Sequence, residues 1–191
     1  MPASRRPTRL DTAALWAAVR DVSPSECHAG SQWYDKAFAE LCLLGLKYGI
    51  GPRVMVCAAA TLSPGLRWTA TVELLERLLI AHRDGESMPR NGHATFGFRP
   101  RERAWQIIRT GIASSRGVKV EAFAAALLGD TDAVVVDRHL IDAAGLGGTD
   151  RRRSISAAQR RRVADTVRSF AAVLGVTPRD LTTALWLRAT A

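Results

Sequence analysis

Cysteine is scarce in this chain, and its three copies, Cys27, Cys42 and Cys57, never come within metal-knuckle spacing of one another. With no Cys-x-x-Cys or Cys-x-x-His pair, neither a structural zinc site nor a thiolate-held iron–sulfur cluster is indicated. His28, His82, His93 and His139 offer no ligand set either, so no metal and no cofactor is expected. The odd cysteine count suits a reducing cytoplasm. Long apolar runs are also missing. The longest, Val54 to Leu62, is far too short to span a bilayer. The arginine-bearing start, Met1 to Leu10, has no apolar stretch behind it of the signal-peptide kind. A cytoplasmic protein with no membrane partner is the expectation. Lysine is confined to Lys36, Lys47 and Lys119, and no internal repeat is visible.

Arginine, by contrast, is abundant. It supplies all but three of the 27 basic residues, against 18 acids, for a net charge of +9. Its planar fork suits phosphate oxygens and base edges. A balance this basic points to a polyanionic partner held by salt-dependent binding. An arginine-rich genome would produce the same composition without any partner. A helical interaction protein with incidental basicity therefore stays open.

With 47% hydrophobic residues, the chain can bury one sizeable core. Residues 1 to 10 read as a disordered basic arm and 11 to 191 as a single domain. Apolar spacing predicts helices almost throughout. A short helix fits 11 to 20, with Leu15, Trp16 and Val19 on its apolar side. Pro24 and Gly30 mark a loop over 22 to 30, and Ser31 reads as the N-cap of a helix running to Gly49. Pro52 starts a buried central helix through Leu62, broken by Ser63-Pro64-Gly65. Further helices are predicted over 68 to 81, 99 to 110 and 118 to 128, then from Asp137 to near Gly145. A long helix follows from Ser156 to Gly175. Thr177-Pro178-Arg179-Asp180 combines an N-cap, a proline at the first helical position and an acid in the first turn. The fold class is all-α.

The interval from Gly117 to Asp137 carries the most chemistry. A glycine turn ahead of a helix exposes backbone N–H groups that can clamp a phosphate. Eighteen residues after Lys119, Asp137 stands at a helix start, where the dipole keeps a carboxylate ionised. Gly117-Val118-Lys119 through Val136-Asp137-Arg138-His139 resembles the helix-hairpin-helix DNA glycosylase superfamily. The likeness covers roughly residues 38 to 190 and looks closest to a compact branch without an iron–sulfur cluster, found in phage-associated and defence-like proteins. It implies a two-lobed helical domain with a helix-hairpin-helix motif. It also implies a monomer acting on double-stranded DNA that carries a damaged or modified base.

In that likeness Asp137 is the catalytic carboxylate, stabilising a sugar cation and orienting water as an extruded base is released. Lys119 matches the lysine of bifunctional members, whose amine attacks the sugar. Arg116, Gly117, Val118, Arg138 and His139 are implied DNA contacts, and Arg152, Arg153 and Arg161 are candidate backbone contacts. The Leu62-Ser63 pair resembles a family segment approaching the lesion, making Ser63, Arg67 and Trp68 candidates for a base pocket. There are departures. The hairpin is Ser115-Arg116-Gly117, keeping one glycine of two. The glutamine that often follows Leu-Ser is absent around Pro64 and Gly65, and Asp142 stands where an arginine is expected. Each residue also has a plainer role: Asp137 as a helix cap, Lys119 as a phosphate contact, His139 as a structural hydrogen-bonding group, Trp68 as core. The alternative reading is a non-catalytic helix-hairpin-helix DNA-binding protein.

Overall fold

The structure is a computed structural model and describes residues 10–89, 98–146 and 155–190. Among them it contains nine helices and no strand: α1 (Thr12–Val19), α2 (Pro24–Tyr48), α3 (Pro52–Leu62), α4 (Trp68–Arg83), α5 (Phe98–Thr110), α6 (Val118–Leu127), α7 (Arg138–Ala143), α8 (Ala157–Leu174) and α9 (Pro178–Thr190). The stretch that reads as one domain packs as two compact units. One is built from residues up to Tyr34 together with those from Gly129 onward, the other from Asp35–Leu128. No single described helix is long and apolar enough to cross a membrane.

The Asp35–Leu128 unit is organised by α3. Every residue from Met55 to Leu62 is buried, as an uncharged run of small and branched side chains requires. Helices α4, α5 and α6 all pack on α3, and α5 does so most extensively. Leu74, Leu75, Leu78 and Leu79 of α4 and Ala104, Ile107 and Ile108 of α5 complete the core.

In the other unit, Leu15, Val19, Val134, Val136, Leu140, Val163, Val167 and Leu181 form one buried cluster. Val134 and Val136 need no strand partner because they insert between helices. Leu10, placed in the basic arm by the sequence reading, packs against this cluster instead; residues 1–9 lie outside the described residues. Helix α8 carries a complete capping box between Ser156 and Gln159 and stops at left-handed Gly175.

Two expectations about α2 are corrected. The stretch from Pro24 to Gly30 is helix, not loop. Ser23 Oγ accepts from the Glu26 amide while Glu26 Oε2 accepts from the Ser23 amide, with proline at the first helical position. Gly30 is no stop signal. A Cβ there would sit 3.0 Å from the Asp180 carbonyl oxygen and 3.0 Å from Thr183 Cβ, so glycine admits α9 close to the helix. Ser31, expected as an N-cap, lies inside α2, and its Oγ accepts from Arg179 Nη2 at 3.1 Å.

Candidate functional site

Asp137 ends a segment anchored by buried Val134 and Val136. Its Oδ1 accepts the Leu140 amide at 2.9 Å, which makes it the N-cap of α7. Among the described residues its second carboxylate oxygen accepts no hydrogen bond. The preceding carbonyl, that of Val136, accepts from Arg160 Nη1 at 2.8 Å and ties the start of α7 to α8. Arg138 is exposed, and His139 and Asp137 are half-buried.

A polar cluster lies within the same unit, between α2 and α9. Arg179, nearly buried, donates from Nε to Asp180 Oδ1 at 3.0 Å and from Nη2 to Ser31 Oγ. Its guanidinium carbon stands 5.4 Å from the centre of the Tyr34 ring. Burial pushes the Tyr34 phenol up to about 12; a hydrogen bond with Thr183 and the nearby Arg179 charge oppose the rise, while the Asp137 and Asp180 carboxylates add to it. The phenol is therefore neutral at any ordinary pH. Sequence reading noticed Arg179 and Asp180 only as parts of a cap and missed Tyr34. The Gly30-Ser31 pair was the available signal, since small residues inside a helix admit a close neighbour.

In the Asp35–Leu128 unit, the turn before α6 uses glycine for a backbone reason: Gly117 has φ of 103°. Its amide, expected to meet phosphate, donates to Glu121 Oε1 of the same helix at 3.0 Å. That N–H is thus occupied by the chain's own carboxylate. Helices α5 and α6 flank the turn, yet each packs on α3 rather than chiefly on the other. Arg116 and Val118 are exposed and Lys119 is half-buried. Burial raises the Cys57 thiol above its ordinary pKa, while Arg53 and Ser115 oppose the rise. Ser63 Oγ donates to the Ala60 carbonyl at 3.0 Å, and Arg67 is exposed. Trp68 donates from Nε1 to Glu40 Oε2 at 2.7 Å and meets Phe123 edge-on at 6.3 Å between ring centres, so it ties α4 to α2 and α6.

The structure thus brings Asp137, Arg138, His139 and Arg161 into one unit. Ser63, Arg67, Trp68, Arg116, Gly117, Val118 and Lys119 belong to the other. Arg152 and Arg153 lie outside the described residues. Among the described residues, no group of three or more His, Cys, Asp or Glu side chains could hold a metal ion.

The described arginines of the unit containing Asp137 divide into two sets, apart from half-buried Arg160, which donates to the Val136 carbonyl. Arg20, Arg168, Arg179 and Arg188 each face a carboxylate within salt-bridge distance. Arg138, Arg161 and Arg162, at the starts of α7 and α8, are exposed and make no ion pair or side-chain hydrogen bond among the described residues. Among those residues, positive charge at these three positions is left uncompensated.

A family model described as "Family of unknown function (DUF7178)" matches residues 4–191. No curated protein and no solved structure matches the chain. These findings correct the expectation of a base-excising hydrolase. The family that covers nearly the whole chain is one of unknown function, and the glycosylase, hydrolase and base-excision roles are accordingly not assigned to Asp137 or Lys119.

Proposed function

For a chain that belongs to the DUF7178 family, we propose a non-catalytic role: binding of duplex DNA through its phosphate backbone. The observation that carries the reading is the set Arg138, Arg161 and Arg162, uncompensated among the described residues, where Arg20, Arg168 and Arg188 are paired with acids. An arginine already facing a carboxylate gains little from a phosphate. An unpaired and solvated one gains a charge-assisted, two-pronged contact and releases counterions from the DNA. The net charge of +9 supplies long-range attraction of the same sign. In the Asp35–Leu128 unit, the turn ahead of α6, read as a helix-hairpin-helix element, exposes Arg116 as a candidate backbone contact of its own. In this reading Asp137 shapes the surface by capping α7 and presenting Arg138 beside it.

Fluorescence anisotropy with a labelled duplex at several salt concentrations tests the proposal. Three phosphate contacts correspond to a slope of log affinity against log salt of roughly −2.7, or a loss of about fortyfold between 50 and 200 mM salt. The triple variant R138A/R161A/R162A should shed that component of the slope. Wild-type protein that does not bind duplex at low salt, or a triple variant with an unchanged slope, would overturn the reading.

A further inference from the structure

Helix α5 divides its side chains more sharply than any other surface helix of the Asp35–Leu128 unit. One side buries Ala104, Trp105, Ile107 and Ile108. The opposite side exposes Arg99, Glu102, Arg103, Gln106 and Arg109. At 100° per residue these five fall within an arc of about 120°, a single stripe facing solvent. Arg99, Arg103 and Arg109 make no ion pair or side-chain hydrogen bond among the described residues. Such a stripe on a helix packed from behind by α3 and α4 is a surface without a partner among the described residues of the unit.

Resting on the proposed DNA binding, we infer that α5 lies in the major groove of the duplex and reads base edges. Composition separates this role from further phosphate contact. A surface that only tracks phosphate gains nothing from a carboxylate, and Glu102 in the middle of the stripe would repel the backbone. Base edges make use of all three chemistries present. Arginine takes guanine O6 and N7 in two bonds, glutamine takes adenine N6 and N7, and glutamate accepts from cytosine N4. The dimensions agree. A helix with its side chains is about 10–12 Å across, against a groove about 12 Å wide. From Arg99 to Arg109 the helix rises about 15 Å, the length of four to five base-pair steps. A set of arginines alone, such as Arg138, Arg161 and Arg162, suits the backbone instead and carries no sequence preference.

The test is selection of the full-length protein on a pool of randomised duplexes, followed by anisotropy on enriched and scrambled sequences. The expected result is a short enriched motif. Arg103→Ala and Gln106→Ala, both at exposed positions, should lower the ratio of specific to scrambled affinity by about five- to a hundredfold. The salt slope contributed by Arg138, Arg161 and Arg162 should remain. A pool that emerges without enrichment, while salt-dependent duplex binding persists, overturns the groove assignment and leaves backbone binding standing. So does full selectivity in both variants. Loss of all duplex binding by the wild type overturns both readings together.

Discussion

Two glycines inside α2 allow steric crowding to be separated from helix propensity. Replacing either by alanine gains about 1 kcal/mol of propensity in a helix interior. What differs is the space. At Gly45 a Cβ would lie 2.5 Å from the Ile50 carbonyl oxygen and 2.9 Å from Met55 Cγ. The Ile50 segment cannot simply swing away, because its amide is bonded to the Gly45 carbonyl at 2.8 Å. At Gly30 the nearest atoms, the Asp180 carbonyl oxygen and Thr183 Cβ, stand at 3.0 Å, and a shift of a few tenths of an ångström in α9 would accommodate the methyl. Overpacking typically costs about 1–3 kcal/mol. Gly45→Ala should reach the upper end and lose about 2 kcal/mol net, lowering Tm by about 4–8 °C in a chain of this size. Gly30→Ala should come out within about 1 kcal/mol of the wild type. Thermal unfolding followed by circular dichroism, with urea titration at constant m as a check, measures both. If Gly45→Ala is as stable as the wild type, or if Gly30→Ala loses more than Gly45→Ala, the steric reasoning fails.

Acid should loosen the meeting of α2 and α9. Glu26 is held down to about 2 from an ordinary 4.5, first by its hydrogen bonds with Arg188 and then by those from Ser23. A carboxyl depressed in the folded state contributes stability in full above its unfolded value, and that stability is lost as pH falls from about 4.5 toward 2. Melting temperature measured over that window should fall less steeply for Glu26→Gln than for the wild type; parallel curves would contradict the assignment. For Asp137, a capping role predicts that Asp137→Ala loses about 1 kcal/mol while Asp137→Asn stays close to the wild type, since asparagine caps equally well. Equal losses in the two variants, read from urea midpoints, would remove the cap from the explanation.

Much of the fold was legible where local chemistry decides it. Ser156 with Gln159, Gly175, and Thr177 with Pro178 mark helix ends through hydrogen bonds between neighbours in sequence. The uncharged run through α3 could only be buried. Asp137 was likewise visible as a helix start. The errors arose where a distant partner decides. Gly30 looks like a breaker until the close approach of α9 is seen; Pro24 is the exception, since it opens α2 behind a local Ser23–Glu26 capping box. Arg179, Thr182 and Thr183 are polar yet buried, because α2 supplies Ser31 and Tyr34 from the far end of the chain. At the candidate site, residue types suggested phosphate and base chemistry. They could not show that the Gly117 amide is answered by Glu121, or that the Trp68 indole is answered by Glu40. The uncompensated arginines were invisible for the same reason: whether an arginine is paired depends on carboxylates brought near by folding.

The division of the chain also bears on how it is made. The Asp35–Leu128 unit is continuous, so everything it packs has left the ribosome once Leu128 has. The other unit joins residues up to Tyr34 with those from Gly129 onward, and Gly30, Ser31 and Tyr34 have nothing to close on until α9 arrives. Nascent chains usually fold from the N-terminus onward. Here the middle matures first, while the first helices wait. A ribosome stalled or terminated ahead of Pro178 would release a product with one finished unit and one whose opening helices have no seat.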